Sequence, residues 1–312
     1  MFLNDKPTLQ QLLEIQEHFG LPSTPLVEKD WHVVKALAAV MAVNTAPFRL
    51  IFGGGTALGR AYQLIQRMSE DIDLRIIGVD RPSRGQLRKL RKSITEALLN
   101  AGFKFDPDKP EHRKTMYEGR YTIYHLPYEA IAEGTGALRP EIKIETAVFP
   151  LRRAAVKRSV SSFVAEGYSK PPEIPAIDCA SILETVADKL VALTRRAGAE
   201  LVGLREERDT TLVRHIHDLH AVRGHYDPVE VAKLTREIMA DEAAQRADDF
   251  PAYKADPLAE TLKAINGIAA SADYAADYAA FRTNMVYGGG VDFETAIKTL
   301  KELGKHLRQA QD

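Results

Sequence analysis

Apolar positions recur every three to four residues in "TLQQLLEIQEHFG" (8–20) and "VEKDWHVVKALAAVMAV" (27–43), which predicts two helices. The short run "FRLIF" (48–52) predicts a strand that leads into three glycines, with another helix after them. Next, "DIDLRII" (71–77) alternates strictly, so a strand would bury Ile72, Leu74 and Ile76 and hold Asp71, Asp73 and Arg75 together on its other face. "RPSRGQLRKLRKS" (81–93) is helical in period, with Leu87, Leu90 and Ile94 on its apolar side. Two further strands are expected in "RYTIYHLPY" (120–128) and "EIKIETAVF" (141–149), joined by the turn residues "EGTGALRP" (133–140). The prolines of "YSKPPEIPAID" (168–178) mark a boundary, beyond which the pattern is helical almost throughout. The expected fold is therefore α+β: a domain over 1–175 around a small mixed sheet, followed by a helical bundle over 176–312.

Composition narrows the class. The chain has 312 residues, of which 45% are apolar, as in an ordinary globular protein. No run of about 18 apolar residues occurs, and the first residues lack the order of a signal peptide, so no membrane span and a cytoplasmic location are expected. Cys179 is the single cysteine, which excludes an internal disulfide and a cysteine-rich zinc cage; it is expected as a small buried residue early in a helix. The formal net charge of -1 argues against a protein that coats nucleic acid. Charge is nevertheless uneven: Arg84, Arg88 and Arg91 (or Lys92) share one helix face, and "LRRAAVKR" (151–158) is a second basic stretch. Either is a solvated surface or a track for a phosphate backbone.

Two carboxylates side by side on a strand repel each other unless a cation sits between them, and a hard divalent ion prefers such oxygens. Asp71 and Asp73 thus point to a metal. Gly53, Gly54 and Gly55 stand between strand and helix, where a backbone turns sharply and can approach a ligand; Thr56 could cap the helix and offer a hydroxyl and an amide to a phosphate. A bare tight turn explains the glycines equally well. Neither G-x-x-x-x-G-K-[ST] nor G-x-G-x-x-G is present. The order strand, glycine turn, Thr56, helix, then a two-carboxylate strand is the layout of a metal-dependent phosphoryl or nucleotidyl transfer site. In "EIKIE" the residues Glu141, Lys143 and Glu145 share a face, and Glu145, with Glu141 as the alternative, is the candidate third carboxylate.

Farther on, Lys189 interrupts the apolar stripe Ile182, Val186, Leu193 and must either snorkel or meet an anion. Arg214 and Asp218 stand one turn apart and could be a surface ion pair. The histidines 215, 217, 220 and 225 show no H-E-x-x-H pattern. Glu28, Lys29 and Asp30 read as caps or packing ion pairs, and Trp31 as core.

The stretches "VEKDW", "GGGTALGRAYQLIQRMSEDIDL", "ETVADKLVAL" and "RHIHDL", in that order across nearly the whole chain, resemble the AbiEii/AbiGii toxin family, the MenT-like nucleotidyltransferases. The resemblance implies a polymerase-β-like nucleotidyltransferase domain and a helical domain that completes the active site. It implies a toxin of a toxin–antitoxin or phage-defence pair, partnered by a cognate antitoxin. By the same resemblance Lys189 and Asp218 match the family's lysine and aspartate and line the active site, while the glutamate at 145 departs from the family's third carboxylate. With the order of residues above, Asp71, Asp73 and Glu145 are expected to hold Mg²⁺ (or Mn²⁺), Gly54, Gly55 and Thr56 to cradle the phosphates of an NTP, and Lys189 and Arg67 to meet charge in the transition state. The acceptor implied is RNA, most specifically the 3′ end of tRNA, with Arg84, Arg88 and Arg91 as its track. Threonine stands at 56 where the wider superfamily often has serine, which retains the hydroxyl. Transfer to a protein or a small molecule, or an inert ion-binding module, are the alternatives.

Overall fold

The computed structural model of the protein describes residues 6–132, 138–245 and 250–310. Its order begins with helices α1 (Leu9–Phe19) and α2 (Thr24–Met41), strand β1 (Arg49–Gly53), a single turn α3 (Gly54–Thr56) and strand β2 (Asp71–Ile77). Then come α4 (Arg84–Asn100), β3 (Arg113–Met116), β4 (Tyr121–Pro127), β5 (Glu141–Val148), β6 (Val156–Val160), α5 (Phe163–Gly167) and β7 (Ile174–Cys179). Among the described residues the strands form one seven-stranded mixed sheet in the order β3-β4-β5-β2-β1-β7-β6, three strands more than the sequence pattern suggests. β2 runs parallel to β5 and β1 parallel to β7, while the other neighbours are antiparallel. Of the turn expected at 133–140, residues 133–137 lie outside the described residues.

Alternation decides which face of the sheet is dry. Ile72, Leu74 and Ile76 of β2 and Ile142 and Ile144 of β5 are buried with Val33, Leu37 and Val40 of α2 and Leu87, Leu90, Ile94 and Leu98 of α4. Their partners in alternation, on the other face, stay partly exposed. Two of the helices start on reciprocal capping boxes that the sequence supplies, Thr8 with Gln11 for α1 and Ser83 with Gln86 for α4.

α2 is buried nearly all round and carries three consecutive buried charges, Glu28, Lys29 and Asp30. They are packing partners rather than caps. The Glu28 carboxylate accepts from the amides of Ile131 and Ala132 at 3.0 Å and pairs with Lys6 at 3.2 Å. Burial opposes its charge, yet His32, those amides and Lys6 outweigh it and hold its pKa down at about 2. Asp30 accepts from the Phe163 amide at 2.7 Å, which ties down the start of α5, and faces Arg60 at 3.5 Å. Burial dominates there and lifts its pKa to about 6 despite Arg60. Trp31 is 2% exposed and belongs to the core. Cys179 is fully buried but ends a strand rather than opening a helix, and burial pushes its thiol up to about 12.

The chain divides into two compact units, Met1–Ala180 and Ser181–Asp312. The second is helical: α6 (Ile182–Leu201), α7 (Val213–Ala221), α8 (Pro228–Gln245), α9 (Pro251–Ala255), α10 (Pro257–Ala270), α11 (Ala272–Met285) and α12 (Phe293–Gln309). α6, the longest, packs on α8 and α10, and α12 packs on α7 and α8. Among the described residues no helix is long and apolar enough to cross a membrane.

Candidate active site

Three adjacent strands, β1, β2 and β5, bring the expected residues of the first unit together. Antiparallel pairing sets Gly53 opposite Asp73, and parallel pairing sets Asp73 beside Glu145 and Asp71 beside Lys143. Glu141 instead lies opposite Pro127 and pairs with His125 at 3.4 Å, so the register puts Glu145, not Glu141, next to the aspartates.

Gly54 adopts φ +71°, a left-handed conformation that favours glycine. A Cβ at this position would stand 1.8 Å from Asp73 Oδ2, so the carboxylate packs directly on the bare glycine backbone. At Gly55 a Cβ would fall 2.5 Å from Arg67 Nη2 and 2.7 Å from Ser69 Oγ. Arg67 is buried there and donates to the Met68 carbonyl at 2.7 Å. Thr56 does not cap a helix, as the sequence suggests it could. Its buried hydroxyl donates to the Asp71 carbonyl and lies 3.0 Å from Ser69 Oγ, pinning the start of β2 to the glycine turn. The helix expected after the glycines is short: the three residues of α3 run into one π-helical turn at Ala57–Ala61. Any anion held there meets backbone amides rather than the summed dipole of a long helix.

The carboxylates of this patch gather around Lys143. Lys143 Nζ contacts Glu145 Oε1 and lies 3.9 Å from Asp71 Oδ2, and the Tyr121 hydroxyl donates to the other oxygen of Glu145. Burial works against the Lys143 ammonium, but Asp71, Glu145 and Asp73 together outweigh it and raise its pKa. Lys143 thus sits among all three carboxylates. Among the described residues no group of three His, Cys, Asp or Glu side chains is arranged ready to hold a metal ion. In donor type the patch nevertheless fits one, since Asp71, Asp73 and Glu145 supply only oxygens, the ligands that Mg²⁺ and Mn²⁺ take, and they already draw a cation among them. Lys143, Tyr121 and Ser69 are neighbours the sequence did not single out. Only Lys143, which shares the face of Glu145, left a signal.

In the second unit Lys189 does not snorkel. Its ammonium lies 2.7 Å from Asp218 Oδ2, with both side chains buried, 8% and 0% exposed. Asp218 is therefore no surface residue, and the partner that Lys189 needs comes from another helix. His217 Nδ1 sits 3.4 Å from the same carboxylate. Burial first, and then Lys189, push the pKa of the neighbouring His215 well below the ordinary histidine value. His220 bonds Thr299 at 2.9 Å, and burial brings it down to about 4.

The basic face of α4 is partly committed. Arg84 pairs with Glu118, both largely exposed. Arg91 donates to the Gly119 carbonyl at 3.2 Å, and burial lowers its pKa; Arg88 is exposed. In the second basic stretch Lys157 pairs with Asp178 at 3.2 Å and Arg158 lies over the Tyr62 ring at 4.8 Å.

The fold is similar to that of MenT4, a nucleotidyltransferase toxin from Mycobacterium tuberculosis H37Rv, with a TM-score of 0.60 and 15% identity over 96% of this chain and 90% of that one. No curated protein sequence matches the chain. The family described as nucleotidyl transferase AbiEii toxin, type IV toxin–antitoxin system, matches residues 35–299. With most of its length inside that match, the chain belongs to the AbiEii family and is a nucleotidyltransferase toxin of a type IV toxin–antitoxin system.

Proposed function

We propose that the protein transfers a nucleotide from an NTP to RNA, at the 3′ end of tRNA, and thereby blocks translation, with a cognate antitoxin opposing it. The observation that carries the reading is the join of glycine turn and carboxylates, with Asp73 Oδ2 resting on Gly54 and Glu145 paired beside Asp73. In the reaction an acceptor hydroxyl gives up its proton to water as its oxygen bonds to the α-phosphorus, the bond from that phosphorus to the bridging oxygen breaks, and pyrophosphate leaves with the electron pair. Asp71, Asp73 and Glu145 would hold Mg²⁺ or Mn²⁺, which when bound supplies Lewis acidity to the phosphate oxygens and the acceptor hydroxyl. Gly54 and Gly55 leave room for the Asp73 carboxylate and for Arg67 and Ser69 against the turn whose amides would meet the triphosphate, and Thr56 holds β2 against that turn. Arg67, stacked on Gly55, is the cation proposed to meet negative charge from the first unit, and Lys189, held by Asp218, the one from the second. Release of Lys143 from the carboxylates would accompany metal binding, because two cations compete for the same oxygens.

For the acceptor, Arg84 and Arg88 are the solvent-facing part of the basic face of α4, and the exposed pairing of Arg84 with Glu118 is weak enough to exchange for a phosphate. Incubation of the protein with total RNA, total protein and each α-labelled NTP in turn tests the assignment. Label in the tRNA fraction, removed by a 3′-exonuclease, is the expected result. Label in protein, or in small molecules alone, would overturn the RNA acceptor.

A further inference from the structure

Parallel strands have no hairpin to fix their offset, because the chain leaves one and returns to the start of the other by a long route. β2 and β5 are such a pair, and between them they carry Asp71, Asp73, Lys143 and Glu145. What ties their starts together is a side chain from elsewhere. Lys29, in the second turn of α2, is 1% exposed, contacts the Glu70 carboxylate and donates to the Arg139 carbonyl at 2.8 Å. Glu70 immediately precedes Asp71, the first residue of β2; Arg139 stands two residues before Glu141, the first residue of β5. One ammonium thus bridges the beginnings of both strands.

Burying a lysine is unfavourable unless its charge and its hydrogens are met, so the contacts of Lys29 are required rather than incidental. The residue after Glu70 is held as well, since the Asp71 carbonyl accepts from the Thr56 hydroxyl. The segment leading into β2 is therefore gripped from the glycine turn on one side and from α2 on the other. The neighbours of Lys29 do something different: Glu28 fastens residues 131–132 and Asp30 fastens Phe163.

We infer that Lys29 is a positioning residue for nucleotidyl transfer, which through Glu70 and the Arg139 carbonyl sets the offset of β2 against β5 and hence the spacing of Asp73 and Glu145. The inference rests on the reading that these carboxylates serve the reaction. A shift of about 1 Å at reacting groups costs on the order of a hundredfold in rate, and loss of a side chain that orients such groups about ten- to a hundredfold.

The test compares Lys29→Met, Glu70→Gln, the double variant, Glu28→Gln and Asp71→Asn for turnover number and NTP KM, with the acceptor that the wild-type protein labels, and for thermal midpoint. Asp71→Asn should be inactive. Lys29→Met and Glu70→Gln should each lower turnover about tenfold to a hundredfold with KM changed less than about twofold, and the double variant should be no worse than the poorer single one, because the two side chains act as a unit. Glu28→Gln should lower the thermal midpoint and retain turnover. Glu70 has a partly exposed side chain, so Glu70→Gln stays folded even where Lys29→Met does not. Wild-type turnover in Glu70→Gln beside an inactive Asp71→Asn would overturn the inference and leave the carboxylate reading standing. A fall in turnover that simply follows midpoint across Lys29→Met, Glu70→Gln and Glu28→Gln would overturn it too. An active Asp71→Asn would remove the reading beneath it.

Discussion

Gly54→Ala separates two consequences of one substitution. Its φ of +71° would cost an alanine about 1–2 kcal/mol, the usual strain of a left-handed residue with a Cβ. The new Cβ would also stand 1.8 Å from Asp73 Oδ2, where such contacts essentially never fall below 3.0 Å, so the carboxylate must retreat by about 1.2 Å. Gly20 offers a matched control: its φ is +60°, it closes α1, and nothing lies within 4 Å of the Cβ it would gain. Gly20→Ala should therefore carry the same strain and none of the displacement. Both variants should lose about 2–8 °C of thermal midpoint, at about 2–4 °C per kcal/mol for a unit of this size. Only Gly54→Ala should lose transfer, by on the order of a hundredfold, as expected for a reacting carboxylate moved by about 1 Å. The assay is label transfer at saturating NTP beside calorimetry on the same samples. If Gly54→Ala kept activity within about threefold of Gly20→Ala, Asp73 would not need its place on the glycine turn, and the reasoning would fail.

Further outcomes follow from the same geometry. Lys189→Met should destabilise the protein by about 3–5 kcal/mol, because it strands Asp218 buried and charged; Lys189→Met with Asp218→Leu should recover most of that by calorimetry while transfer stays lost, and recovery of transfer would make the pair purely structural. Asp30 has a raised pKa, so the folded state keeps its proton longer than the unfolded one: between about pH 4 and 6 the wild type should lose about 3 kcal/mol relative to Asp30→Asn, read from urea midpoints across that range, and a constant difference would contradict it. EDTA should abolish transfer and Mg²⁺ or Mn²⁺ restore it, and added Mn²⁺ should raise the thermal midpoint of the wild type but not of Asp73→Asn.

Much of the site was legible because burial on one side of a sheet forces alternation, and alternation fixes faces. The face of Asp71 and Asp73 could be read from Ile72, Leu74 and Ile76 alone, and that of Glu145 from Ile142 and Ile144. The strands that escaped notice lack this signal. β3 ("RKTM") and β6 ("VKRSV") are polar edge strands, and β7 ("IPAIDC") carries Pro175, which made a strand between two neighbours resemble a linker. Pro175 fits because the pairing of β7 with β6 is interrupted by a register shift. Lys189 announced that it needed a partner, but a helical spacing rule looks only within one helix, and Asp218 lies on the next. Lys29 was less visible still, since its partners are 41 and 110 positions away.

The fate of the NTP phosphates decides most directly whether the protein is a nucleotidyltransferase acting through these carboxylates. Wild-type protein should give a product that carries label from an α-labelled NTP and none from the γ-labelled one, with pyrophosphate released in equal amount, and Asp73→Asn should give neither. Label from the γ-phosphate in the product, or α-label transfer undiminished in Asp73→Asn, would contradict nucleotidyl transfer at the carboxylates of β2.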